Sequence, residues 1–388
     1  MNEFDDFGMY ISDLMAKEHP KLARRKAEER FESYYNELAC RFLQQELQDS
    51  SRNIVFSPLS IYTLLAIVAD AADGDARDEI IELLFAGTNK TCFDERREQL
   101  SHAKNMSMAN AVYVQEKIKG SINPEFPKLL KEQYNGQLFA TEDIISDLNR
   151  WVRKATKGMI NEIADDSMKN MLACILNAVA FEEQWKKPYK EDDVYEDEFQ
   201  AYTRLCEDVS MLHSNEEEYI ESEYFTGFVK PYKGGEFDFM ALKPKKYKDS
   251  YPLKAEPETL DFTRLYRQRT LEDVRVALPE FRYDFSESLK ELCDSYGIRT
   301  IFSDHADFSP MSSEWLKVDD ILHKAHIEVD RKGTKAAAVT ASIMVAGALP
   351  DFDRKRVILD RPFFYAIMHK STGLPVFVGA VNALPIIP

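Results

Sequence analysis

The sequence predicts a single mixed α/β domain with a large sheet component, of the multi-domain α+β class, and three observations point there. Strand-like runs such as MANAVYVQ, ACILNAVAFE and VRVALPEFRY stand among amphipathic helical stretches without the regular strand–helix–strand alternation of a doubly wound sheet. No internal repeat, low-complexity tract or shift in composition divides the chain. Its 388 residues are 44% apolar, enough for one large core.

Taken in order, residues 1 to about 27 are acidic and then basic (Lys21, Arg24, Arg25, Lys26) and read as a charged extension. From Ala27 to Leu47 the residues Phe31, Tyr34, Tyr35, Leu38, Phe42 and Leu43 recur at helical spacing. Ser57-Pro58 then opens a buried helix, with serine as cap and proline in the first turn. In DLNRWVRKATKGMINEI, Leu148, Val152, Ala155 and Ile160 share one side of a helix. Gly234-Gly235 in PYKGGEFDF is a hairpin turn, and the C-terminal VILDRPFFYAIMHKSTGLPVFVGAV gives two strands joined at Ser371 to Gly373.

Charge and composition narrow the function. A net charge of -17 argues against nucleic acid and anionic membranes as partners, because both require a basic surface. No stretch reaches the ~20 apolar residues of a transmembrane helix. The cysteines Cys40, Cys92, Cys174, Cys206 and Cys293 are odd in number and lack CxxC pairs, so neither a disulfide framework nor a zinc site is legible. With acids where a signal peptide carries positive charge, the N-terminus points to a reduced cytoplasmic setting, or to an extracellular one if export takes another route or the N-terminus is incomplete. The sequons at Asn89 and Asn105 matter only in that second case. No cofactor is implied, and GxSxG, HExxH, GxGxxG and GKS/GKT motifs are all missing. His323, in DDILHKAHIEVD, reads as a buried histidine donating to a neighbouring hydroxyl or amide, and Trp185 as a core anchor.

The segment Gly333 to Ala348, GTKAAAVTASIMVAGA, has the composition of a strand interior in the position of a connection. After its glycine it carries no proline and one charge up to Gly347, whereas ordinary loops are cut with Pro, Asn, Asp and Gly. Alternate residues from Thr334 are small or slender enough to enter a packed sheet.

Taken together, NIVFSPLSI at 53–61, LNRWVRKATKGMI at 148–160, LNAVAFEEQW at 176–185, PYKGGE at 231–236, LPEFRY at 278–283, and DRPFFYAI followed by FVGAV resemble the serpin family of serine protease inhibitors. The likeness runs from about residue 28 to 388. It implies three β-sheets, about nine helices and a reactive-centre loop at about 331–356, in a monomeric inhibitor that is not itself an enzyme. Such a protein is a suicide substrate: a protease cleaves the loop, is held as an acyl-enzyme, and is carried away as the loop inserts into the central sheet. By resemblance Gly333, Thr334, Ala336, Ala337 and Ala338 form the hinge, and Ser57, Ser60, Asn177 and His323 a buried switch cluster. Trp185 stands where the loop first enters the sheet.

The family's scissile bond, about 14 residues past the hinge glycine, falls at Gly347-Ala348, within one or two positions. A small acyl-side residue, with no Lys or Arg between Lys335 and Arg354, favours an elastase-like serine protease over a trypsin-like one. Met344 as the cleaved residue and a papain-like cysteine protease are the alternatives. Arg331, Lys332 and Lys335 stand where the family carries acids, which keeps a non-inhibitory carrier, chaperone or interaction module as the competing function. Asp70, where the family is apolar, has no explanation in the sequence.

Overall fold

The computed structural model describes residues 20–48, 52–85, 90–101, 105–201, 203, 205–246, 253, 255–334 and 354–384. Its elements run α1 (Pro20–Glu46), β1 (Ile54–Phe56), α2 (Pro58–Ala71), α3 (Gly74–Phe85), α4 (Lys90–Ser101), β2 (Met106–Gln115), α5 (Glu125–Tyr134), β3 (Gly136–Thr141) and α6 (Ile144–Ala155). There follow β4 (Ala173–Phe181), β5 (Glu183–Gln184), β6 (Val194–Gln200), β7 (Cys206–Glu221), β8 (Phe225–Pro231), β9 (Phe237–Pro244), α7 (Phe262–Arg267), β10 (Thr270–Pro279) and β11 (Phe281–Ser288). Last come α8 (Lys290–Ser295), β12 (Asp320–Val329), β13 (Gly333–Thr334), β14 (Lys355–Ile358), β15 (Phe363–His369) and β16 (Leu374–Val381).

The described strands form two hydrogen-bonded ladders. A nine-stranded one runs β1-β16-β15-β9-β8-β7-β10-β14, with β6 also on β7. Its 16-residue β7 pairs with β6 at one end and β8 at the other, so two of the three expected sheets share a strand and count as one ladder. The seven-stranded ladder holds β3-β2-β4-β12, with β11 on the far side of β12 and the short β13 and β5 at the upper end. Strands β4 and β12 are parallel and directly paired from Cys174/Asp320 to Ala180/His326. The inner face of this sheet joins the main core, in which α2 is buried along nearly its whole length. Its outer face is covered by α6, whose Ile144, Leu148 and Val152 pack on Ala111, Tyr113, Leu176 and Ala178.

Several expected boundaries move. Helix α1 begins at Pro20, inside the supposed extension, where Arg24–Glu28 and Arg25–Glu29 pairs one turn apart support a helix without an apolar stripe; residues 1–19 lie outside the described residues. Helix α6 stops at Ala155 because the chain turns left-handed at Lys157 (φ 52°) and Gly158 (φ 79°). VRVALPEFRY is two strands, broken at Glu280 where the chain passes from the nine-stranded ladder to the seven-stranded one. The C-terminal run is three strands, since Asp360 to Pro362 interrupts the first; the hairpin turn at Thr372-Gly373 is as expected, with Gly373 at φ 71°. Cys40, Cys174, Cys206 and Cys293 are free thiols. Asp70 accepts a 2.6 Å hydrogen bond from the Tyr134 hydroxyl, which supplies the reason the sequence lacked.

Candidate functional site: the hinge and the upper end of the central sheet

Above Ala180 and His326 the paired strands β4 and β12 separate, and β13 occupies the gap. After Val329 the chain makes a tight turn in which the Asp330 carboxylate accepts from the Lys332 and Gly333 amides, at 2.7 and 3.0 Å. It returns with Thr334 opposite Val329 on one side and Glu183 on the other. The residue offset across the gap equals that between β4 and β12 below it, so a continuing strand would meet both neighbours without a register shift.

Gly333 is dictated by contact. A Cβ there would run into the Glu183 carbonyl oxygen, a backbone atom that cannot yield locally. Thr334 faces inward as expected, fully buried, with its hydroxyl 2.6 Å from that of Tyr232. The Tyr232 ring stacks on Trp185 (centroids 4.6 Å apart, planes 12° apart). Trp185 donates from its indole nitrogen to the Asp330 carbonyl at 2.8 Å and from its backbone nitrogen to that of Lys332 at 2.9 Å. Trp185 is therefore both the core anchor and the fastening of the hinge turn. Ala336, Ala337, Ala338, Gly347 and Ala348 lie outside the described residues.

Arg331 belongs to the turn that precedes β13. Its amide donates to Glu280 at 3.0 Å and its guanidinium reaches Glu191 at 3.3 Å. Burial raises the pKa of Glu280. Beneath the turn Lys230 and Glu216, both almost fully buried, form a 2.6 Å ion pair, with the Lys230 ammonium 4.3 Å from the centre of the Tyr189 ring. The basic turn is thus matched by acids drawn from the 3-10 turn Glu191–Asp193 and from the break between β10 and β11.

Lower in the sheet the expected polar cluster is assembled, under the paired part of β4 and β12. The Ser57 amide, at the cap of α2, donates to His323 Nε2 at 3.2 Å, which fixes the proton on Nδ1; Nδ1 then donates to Asn177 Oδ1, also at 3.2 Å. Asn177 Nδ2 donates on to Asn110 Oδ1 at 2.8 Å, and Asn110 Nδ2 to the Tyr134 carbonyl at 2.8 Å. Burial alone pushes the pKa of His323 down to about 3, so it is neutral at physiological pH. Ser57 Oγ caps α2 by accepting from the Ser60 amide, whereas the buried Ser60 hydroxyl has no partner among the described residues. Asn110 was missed in the sequence, although an amide at the centre of MANAVYV, where the other residues are apolar or small, was the available signal. No group of three or more metal-ligating side chains occurs among the described residues.

This arrangement has counterparts in known proteins. The family profile "Serpin (serine protease inhibitor)" matches residues 33–384. Bovine Serpin A3-7 is 28% identical over 364 residues (88% of this chain, 85% of the relative), and mouse Leukocyte elastase inhibitor A is 28% identical over 370 (87% and 96%). The thermophilic serpin Tengpin in its native state superposes with a TM-score of 0.81 at 29% identity (92% and 94% covered); its latent state gives 0.74 at 26% (92% and 98%). Human thyroxine-binding globulin shares the fold with a TM-score of 0.79 at 23% identity (92% and 99%). The chain belongs to the serpin family, and its fold is that of a serpin.

Proposed function

We propose that this serpin inhibits a serine endopeptidase by cleavage and insertion of the loop that follows Thr334, with an elastase-like target. The seating of Thr334 supports this most strongly. The first inward residue already bridges β12 and β5, just above the strands β4 and β12 that must part and in their common register, and Ala336, Ala338, Thr340 and Ser342 follow at the same parity. None is charged, bulky or proline, the groups that would halt a strand sliding between packed neighbours.

Carried forward, that register brings Thr340 between Asn177 and His323. Its hydroxyl arrives where β4 and β12 now share a hydrogen bond, so the cluster exchanges one set of partners for another during insertion. Roughly a dozen new backbone hydrogen bonds at ~1 kcal/mol each supply a drive on the order of 10 kcal/mol.

In the reaction the protease serine oxygen attacks the Gly347 carbonyl carbon and the Gly347-Ala348 amide breaks. The Ala348 amine departs with a proton, leaving Gly347 as an ester on the protease. Insertion then moves this ester away before water hydrolyses it. Incubation with an elastase, followed by a denaturing gel and mass spectrometry of the released peptide, tests the proposal. A covalent complex and a new N-terminus at Ala348 are expected; complete cleavage without any complex would instead place the chain among non-inhibitory serpins.

A further inference from the structure

We infer that Glu182 and Glu328 form a charge-matched slot for Lys335, the first outward-facing residue of the inserting loop. The inference rests on the insertion reading above and concerns the selectivity of its first step. Thr334 sits between Val329 and Glu183, so the next residue of the chain would meet Glu328 on β12 and Glu182, between β4 and β5, as soon as the strand extends.

Parity puts the Glu182 and Glu328 side chains on the same face, and would put that of Lys335 there once the strand extends. Thr334 points inward to Tyr232, while Val329 and Phe181 belong to the inner core. Each next residue therefore points outward, toward the face covered by α6. Strands spaced about 4.8 Å apart leave ~10 Å between the two glutamate backbones, with Lys335 midway.

Both carboxylates are in the right condition to receive a cation. They are half-buried, and neither makes a side-chain hydrogen bond or ion pair among the described residues. Arg282 stands opposite Glu328 on β11 yet forms no ion pair with it. Two like charges face each other across an opening gap, and an inserting lysine neutralises the pair as it passes. An acid at position 335 would instead bring three carboxylates together, and directly opposed like charges destabilise a sheet. A basic residue at position 335 is thus matched to the strands it must enter.

Uptake of a synthetic peptide by the full-length protein tests this without any protease. The peptides are TKAAAVTASIMVAG, the sequence of Thr334 to Gly347, and the same peptide with glutamate in place of its lysine; uptake is followed by native gel. At low salt the lysine peptide should enter about tenfold faster, the combined effect of two cross-strand charge pairs changing sign, and the difference should shrink at ~1 M salt. In the Glu182→Lys/Glu328→Lys protein the preference should invert. Equal uptake of both peptides by the unmodified protein overturns the inference alone. Uptake of neither peptide overturns the insertion reading as well.

Discussion

Replacing Thr334 with aspartate changes the hinge by little volume and a full charge. The threonine is fully buried, with its hydroxyl 2.6 Å from that of Tyr232, and Glu183 is its direct neighbour on β5. An aspartate carboxylate there faces a second carboxylate in a site closed off by Trp185 and Tyr232. Arginine would be a less decisive probe, because Glu183 offers it a counter-charge. An uncompensated buried charge costs about 3–5 kcal/mol, against an insertion drive on the order of 10 kcal/mol. The charged residue should therefore leave the gap in the intact protein, and insertion, which must bury it again, remains downhill but becomes slow. If about 3 kcal/mol of the penalty is felt at the barrier, the rate falls by more than ~100-fold. Deacylation of the trapped protease does not share this penalty, so water wins. Titration of protease with the Thr334→Asp variant should show cleavage at the normal rate, little covalent complex, and a stoichiometry of inhibition of about ten or more. Thr334→Ser, which keeps the hydroxyl, should behave as the parent. An aspartate variant that inhibits with unchanged stoichiometry would refute the role given to this side chain.

Two further outcomes follow from the same site. Gly333→Ala puts a methyl group against the Glu183 carbonyl oxygen, and the strain, about 1–3 kcal/mol, should release the turn from β5. A lower thermal midpoint together with altered Trp185 fluorescence would show this, and unchanged values for both would contradict it. For His323 the folded pKa of about 3 lies below the unfolded 6.5, so the unfolded chain binds the extra proton between those values and stability falls as the pH drops. Between pH 7 and 5 the parent should lose about 2 kcal/mol more than the His323→Gln variant in denaturant titrations; equal losses would remove His323 as the cause.

What could be read from the sequence depended on how local its signal was. The Ser57-Pro58 cap, the buried run ACILNAVAF and the spacing of small residues after Gly333 each declare themselves within a few positions, and the cap, the strand and the inward Thr334 stand where expected. The Gly158 stop of α6 was also local but was outweighed by the apolar Ile160 beyond it. Other features were invisible because their partners are remote. The Lys230–Glu216 pair joins adjacent strands, Asp70 meets Tyr134 from another helix, and the Arg331 amide meets a carboxylate 51 residues earlier. Glu182 and Glu328 could not be related to one another until the register of β13 was known.

Insertion is most directly tested by heating the protein before and after a single cut at Gly347-Ala348. If the loop joins β4 and β12 as described, the cleaved form gains a strand and on the order of 10 kcal/mol, and its unfolding midpoint should rise by roughly 15–30 °C. A cleaved protein that unfolds at or below the temperature of the intact one would contradict the account.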